Sequence, residues 1–235
     1  MRAPKALLLL MALVGAAVGK PPSSALAQIP PTADEIAAYT GLHAAAASGD
    51  TVAIERAFMG GADIEARDTL GRTPLMVAAY RRDTAAARAL LRLGANPNAL
   101  DNQSYDLITI AAVLNDLDML KLAIESGGNA RAITSPYNGT ALIAAAHLGH
   151  AEVVAALVAA RAPLDHVNNL GWTALIEGVV LGDGGERHQA TVEALIKGGA
   201  DLNLPDRNGA TPLALARARG YAKIAELLEQ AGAKP

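Results

Sequence analysis

The chain has 235 residues, of which 51% are hydrophobic and only 3% aromatic, with 20 basic and 23 acidic side chains and a formal charge of −3. That is enough apolar material for a real core, in one large domain or two ordinary ones. A mildly acidic chain with no basic run lacks the lysine and arginine contacts on which nucleic-acid affinity rests. The absence of cysteine excludes disulfides, thiol catalysis and thiolate metal sites together.

The N-terminus has a composition of its own. Arg2 and Lys5 precede an uninterrupted apolar run from Ala6 to Gly19, and Ala25-Leu26-Ala27 follows as a small-residue site. This is the layout of a secretory signal peptide covering residues 1–27, cleaved after Ala27. Fourteen apolar residues fall short of the roughly 20 that span a bilayer as a helix. Residues 1–27 hold three of the basic and none of the acidic groups, so the remainder carries 17 against 23, a charge of −6. With no second long apolar run, the expectation is a mature protein in the periplasm with no membrane insertion. Residues 28–38 read as a linker and cap, Asp34 to Tyr39 forming a short covering segment.

From Thr40 onward the chain restates itself. Thr73-Pro74-Leu75 returns as Thr211-Pro212-Leu213, with variants at Thr40, Thr140 and Thr173 and a degenerate copy at Asp106. Starts at 40, 73, 106, 140, 173 and 211 give intervals of 33, 33, 34, 33 and 38 residues. A threonine before proline suits a helix N-cap, and Asp106 serves as an alternative cap. Pairs such as Ala78-Ala79 let helices approach closely, Gly49, Gly149 and Gly220 close the first helix of their copies, and Val153, Val154 and Leu157 form the apolar stripe of a second helix. Units of this kind bury their apolar faces only by stacking.

The run from Thr140 to Val154 resembles the ankyrin repeat family almost position by position, and the resemblance extends over residues 40–235. It implies an all-α ankyrin-repeat solenoid: six helix–turn–helix repeats over 39–235, joined by short hairpin fingertips. It also implies a concave groove that binds a protein or peptide. Carried over by position, the groove takes the residue before each start (Tyr39, Arg72, Tyr105, Gly139, Trp172, Ala210) and the residue seven after it, among them Tyr80 and His147. Tyr137 falls on a fingertip. Five of the six tyrosine and tryptophan residues therefore map to the groove side, leaving Tyr221 in the C-terminal cap. Such residues dominate recognition surfaces, although large side chains also fill gaps between alanine-rich helices. His43 and His150 match structural positions of the family, and His166 is expected on a hairpin facing solvent.

The fifth copy departs most from the pattern. Glu177 stands where the other copies carry Ala44, Val77, Ile110, Ala144 and Leu215, and Leu181-Gly-Asp-Gly-Gly-Glu-Arg-His188 follows as an insertion. A carboxylate at a part-buried position requires a partner or water. One reading groups Glu177, Asp183, Glu186, Arg187 and His188 with Trp172 and His147 as a ligand pocket, with Glu177 and His188 as a general acid–base pair. The other pairs Glu177 with Arg187 and ties the loop down. The chain has no metal-binding His-Glu-x-x-His, no Gly-x-Ser-x-Gly elbow and no phosphate loop, and Asp183 to Glu186 is too short for a calcium loop, so no metal or cofactor is expected. The sequence thus reads as an exported, non-enzymatic scaffold gripping an envelope protein or peptide through Arg72, Tyr80, Tyr105, Tyr137, His147 and Trp172. The alternatives are small-molecule binding or weak hydrolysis at the fifth copy, or a supporting role for a periplasmic stress-defence enzyme.

Overall fold

A computed structural model describes residues 28–234; the segment read as a signal peptide, residues 1–27, lies outside the described residues. Among them the chain forms thirteen α-helices and no strand beyond a single bridge between Ile133 and Thr140. The helix α1, Ala33–Ala38, is closed by a capping box in which Thr32 and Glu35 exchange bonds. Six helical pairs follow: α2 and α3 (Gly41–Ser48, Thr51–Met59), α4 and α5 (Pro74–Tyr80, Thr84–Arg92), α6 and α7 (Leu107–Val113, Leu117–Glu125), α8 and α9 (Ala141–Leu148, Ala151–Ala159), α10 and α11 (Ala174–Val180, Glu186–Gly198), and α12 and α13 (Pro212–Ala218, Ala222–Gln230). No helix among the described residues is long and apolar enough to cross a membrane.

The start residues set the first turn of each inner helix. Thr73, Thr140, Thr173 and Thr211 each accept a bond from the backbone N–H three residues on. Asp106 does the same for Thr109 at 2.8 Å, while Thr40 makes no side-chain cap bond. Inner helices stack on inner helices and outer on outer, in register from one end to the other. The inner layer closes because its contact positions are small: Ala78, Ala79, Ala111, Ala112, Ala145 and Ala146 are all fully buried. The outer helices are amphipathic, sealing Ile54, Leu90, Leu120, Leu157 and Val192 inward.

Before each start from 73 onward the chain turns back through a left-handed residue two positions upstream. Gly71, Gly171 and Gly209 fill it, and Ser104 and Asn138 adopt it at φ 65° and 57°. The side chain of the first hairpin's Gly71 position has no room to grow, since a Cβ there would lie 2.3 Å from Asn102 Oδ1. Side chains also tie each hairpin to the next. The Asn96 N–H donates to Glu65, Asn129 to Asn98, Asp201 to Asp165 and Lys234 to Asn203, all at 2.7–2.9 Å.

Candidate functional site

A recurring polar side chain fixes the residue that precedes each start. Asp68, Asp101, Asn168 and Asp206 stand five residues ahead of starts 73, 106, 173 and 211. In each, Oδ1 accepts the N–H groups two and four residues on: Leu70 and Arg72, Gln103 and Tyr105, Leu170 and Trp172, Asn208 and Ala210. In the remaining hairpin Ser135 Oγ accepts from Gly139 at 2.9 Å. The second side-chain atom of the turn residue stays available for tertiary contacts, and those contacts differ from repeat to repeat.

At start 73 the contacts are internal. Arg72 was expected on the recognition surface; it is instead 0% exposed. Its Nε donates to Asp68 at 2.6 Å, and the terminal nitrogens donate to Glu35 at 2.7 Å, the Tyr39 hydroxyl at 3.2 Å and the Ile29 carbonyl at 3.0 Å. The Tyr39 hydroxyl in turn donates to Asp68 at 2.6 Å. Burial alone would raise the Asp68 carboxyl, but the bonds from Tyr39 and Arg72 outweigh it and hold the group below its ordinary value. Both Arg72 and Tyr39 thus lock the N-terminal segment onto the stack.

At start 106 the turn is built the same way, with Tyr105 in the place of Arg72. Asp101 is almost buried, and burial pushes its carboxyl up against the bonds from Tyr105 and Gln103. Tyr105 occupies the place of Arg72; it is only 6% exposed, with its phenol pushed up to about 12 by burial. Tyr80 packs part-buried against the core, and its hydroxyl is out of solvent with no hydrogen-bond partner. Burial first, and then the charge of Asp101, raise its phenol above the ordinary range.

Between repeats four and five the unusual carboxylate finds two partners. Glu177, 4% exposed, accepts from Asn168 Nδ2 at 2.6 Å and faces His147 Nδ1 at 3.2 Å. Neither the expected His188 nor Arg187 is its partner. The reason is direction: α10 aims position 177 at the preceding hairpin, whereas His188 belongs to α11. Trp172 and Tyr137 remain part-exposed nearby in the chain, the Tyr137 carbonyl accepting the Asn169 N–H at 2.8 Å.

The insertion folds inward rather than projecting. His188, 4% exposed, bridges Asp183 through Nδ1 at 2.9 Å and the His147 carbonyl through Nε2 at 3.0 Å. The N–H of Gly185, then the contact from His188, hold the exposed Asp183 below its ordinary value. Gly182 and Gly184 lie so close to the His188 and Tyr221 rings that a Cβ would approach them to 2.7 and 2.5 Å. The Tyr221 hydroxyl donates to the Gly182 carbonyl at 2.9 Å. Glu186 and Arg187 stay exposed on α11. The structure therefore joins Glu177 to the His147 ring and Asp183 to His188, whose other ring nitrogen meets the His147 carbonyl, without a direct Glu177–His188 contact.

The remaining histidines are structural hydrogen-bonders. His43 contacts the Arg72 carbonyl and His150 the Ala112 carbonyl, each at 2.9 Å. His166, expected to face solvent, reaches the Asn138 carbonyl at 2.6 Å. The turn residues Asp68, Asp101 and Asn168 were missed in the sequence. Their recurrence five residues before each start was the signal that would have found them.

The family model described as ankyrin repeats matches three times, over residues 26–101, 42–132 and 108–206. A putative ankyrin repeat protein, YahD, of Escherichia coli (strain K12) is 44% identical over 98 residues, 41% of this chain and 49% of the relative. The matched region thus spans about half the length of that curated relative. A crystal structure of an ankyrin repeat domain from Acinetobacter baumannii AYE is similar with a TM-score of 0.78 and 44% identity, covering 82% of this chain and 98% of that one. The ankyrin repeat protein EF0377 is similar with a TM-score of 0.73 and 30% identity, over 82% and 98% of the two chains.

Proposed function

Because the chain belongs to the ankyrin repeat family, whose members typically act as non-enzymatic scaffolds in protein–protein interaction, we propose that it is an exported interaction scaffold that grips an envelope protein or peptide. Its gripping surface is the face formed by the inner helices and hairpins of repeats two to five. The observation that carries this reading is the contrast along that face. Tyr80, Tyr137, His147 and Trp172 keep part of their surface exposed, while the alanines between them are sealed. Large side chains with a polar edge, held on a rigid frame, are what a recognition surface needs. The signal-peptide layout of residues 1–27 supports delivery to the periplasm. Arg72 and Tyr105 support the surface from beneath rather than meeting the partner.

Capture of the tagged, exported chain from its own envelope fraction tests the reading, beside a Tyr137→Ala/Trp172→Ala variant with unchanged helical content. Truncating two central aromatic anchors should reduce partner recovery about tenfold or more. A set of captured proteins that is the same for both chains would refute it. Export is checked separately: N-terminal sequencing of the periplasmic form should begin at Gln28.

A further inference from the structure

Two residues at the head of the described chain are placed the wrong way round for their chemistry. Ile29 is 37% exposed, whereas the polar Gln28 is 8% exposed. Both the nitrogen and the oxygen of the Gln28 side chain are shut off from water with no hydrogen-bond partner. A primary amide in that position gives up the bonds of water and gains none in return. The backbone that follows is fixed. The Ile29 carbonyl accepts from Arg72 at 3.0 Å, and the capping box of Thr32 and Glu35 then opens α1. Arg72 is itself 0% exposed, so a free α-ammonium group on Gln28 would stand one residue from a carbonyl that already serves a buried cation. Cleavage after Ala25-Leu26-Ala27 makes Gln28 the first residue of the exported chain. It then has what no internal glutamine has, a free amine on the same residue as its amide.

We propose that Gln28 is a modification site, closing to 5-oxoproline (pyroglutamate) once the leader is removed; the inference rests on the export reading. The α-amine nitrogen attacks the side-chain Cδ, and a new C–N bond closes a five-membered lactam. The Cδ–Nε2 bond breaks, and Nε2 leaves as ammonia with the proton that the amine gives up. Nothing is oxidised or reduced, and no co-reactant enters. Both reacting groups belong to one residue, so the step is unimolecular. The product answers both anomalies of this end. The orphaned amino group of the side chain is gone, and the terminus is neutral, so Arg72 meets no second cation.

The test is intact-mass and peptide-mapping spectrometry of the full-length chain after export, purified from the periplasm, beside a Gln28→Asn variant. The wild-type chain should be lighter by one ammonia than a chain that begins with unmodified Gln28, with the whole deficit in its N-terminal peptide. Stepwise N-terminal sequencing should be blocked until pyroglutamyl aminopeptidase removes residue 28, and should then read from Ile29. Gln28→Asn keeps a primary amide, but its side chain is one methylene shorter and would have to close a four-membered ring. It should therefore keep its full mass and read directly from position 28. A wild-type chain that begins at Gln28 with full mass and a free amine overturns the proposal and leaves export standing. So does an ammonia deficit located in another peptide, or an equal loss in Gln28→Asn. A periplasmic chain that begins elsewhere removes the cleavage and this modification together, while capture through Tyr137 and Trp172 still decides the scaffold reading.

Discussion

Glu177 is tolerated inside the stack because one hairpin residue differs from its counterparts. Where three of the other hairpins use Asp68, Asp101 and Asp206, this one uses Asn168, whose Oδ1 still closes the turn while its Nδ2 donates to Glu177 at 2.6 Å. Asn168→Asp keeps the turn and sets two carboxylates against each other. It should cost about 2–3 kcal/mol at neutral pH, the range for losing a charged bond and burying like charges. The loss should shrink on acidification, when one of the pair takes a proton, and disappear in a Glu177→Leu background; urea denaturation of the three chains checks this. Asp106 is a second test of a buried carboxylate. Burial raises its carboxyl, so the folded chain holds that proton more tightly than the unfolded one. The group therefore favours folding below its unfolded pKa, and its ionised form opposes folding as pH rises through the folded value. Asp106→Asn preserves the cap on Thr109 without the charge and should stabilise at pH 7, with the gain fading as pH falls. Asp106→Ala removes the cap together with the charge, and should cost about 1–2 kcal/mol at low pH, where the carboxyl is neutral, and less at pH 7. Register alone makes Glu177 visible as an anomaly. Its partners are not legible, because Asn168 and His147 reach it from a hairpin and a different repeat.

The insertion before α11 shows what a glycine-rich stretch can mean at the level of an element. Five extra residues lengthen α11 to 13 residues, where each of the other outer helices has nine. The interval of 38 residues marks where the insertion falls, and Asp183, Glu186, Arg187 and His188 read either as part of a ligand pocket or as a loop tied down through Arg187. The structure uses the glycines for close approach instead, because Gly182 lets the His188 ring and the Gly178 carbonyl sit against the backbone. Their packing partner Tyr221 lies in the last repeat, 39 residues on, so no local pattern announces it. Gly182→Ala would place a methyl 2.3 Å from the Gly178 carbonyl oxygen. Thermal denaturation should show a loss of about 1–3 kcal/mol, as for overpacking of a core; a loop free in solvent would be indifferent to the change. The inner helices, by contrast, are legible almost residue by residue. Their capping threonines and paired alanines recur because each layer imposes the same contact distance on the next.

Across the whole molecule, stability is carried by neighbour-to-neighbour contacts, since each helical pair packs on the one before and the one after it. The recurrence of about 33 residues makes this architecture readable from composition and spacing alone. What holds its ends does not recur and had to be seen. At the N-terminal end a single side chain joins three parts of the chain: Arg72 binds Glu35 of α1, the carbonyl of Ile29 and Asp68 of the first hairpin. Asp68 and Arg72 are both shut away from water, whereas Glu35 keeps a quarter of its side chain exposed. Removing the cation leaves the Asp68 carboxylate buried with only the Tyr39 hydroxyl and backbone donors beside it. Breaking a buried ion pair in this way costs about 3–5 kcal/mol. In a quasi-one-dimensional stack that loss need not be shared by distant units. Hydrogen exchange of Arg72→Ala should therefore show residues 28–39 and α2 losing protection first, with α4 affected less and α10 to α13 unchanged. A uniform loss of protection along the chain would mean that the stack opens as one cooperative body, and that Arg72 stabilises the whole rather than its end.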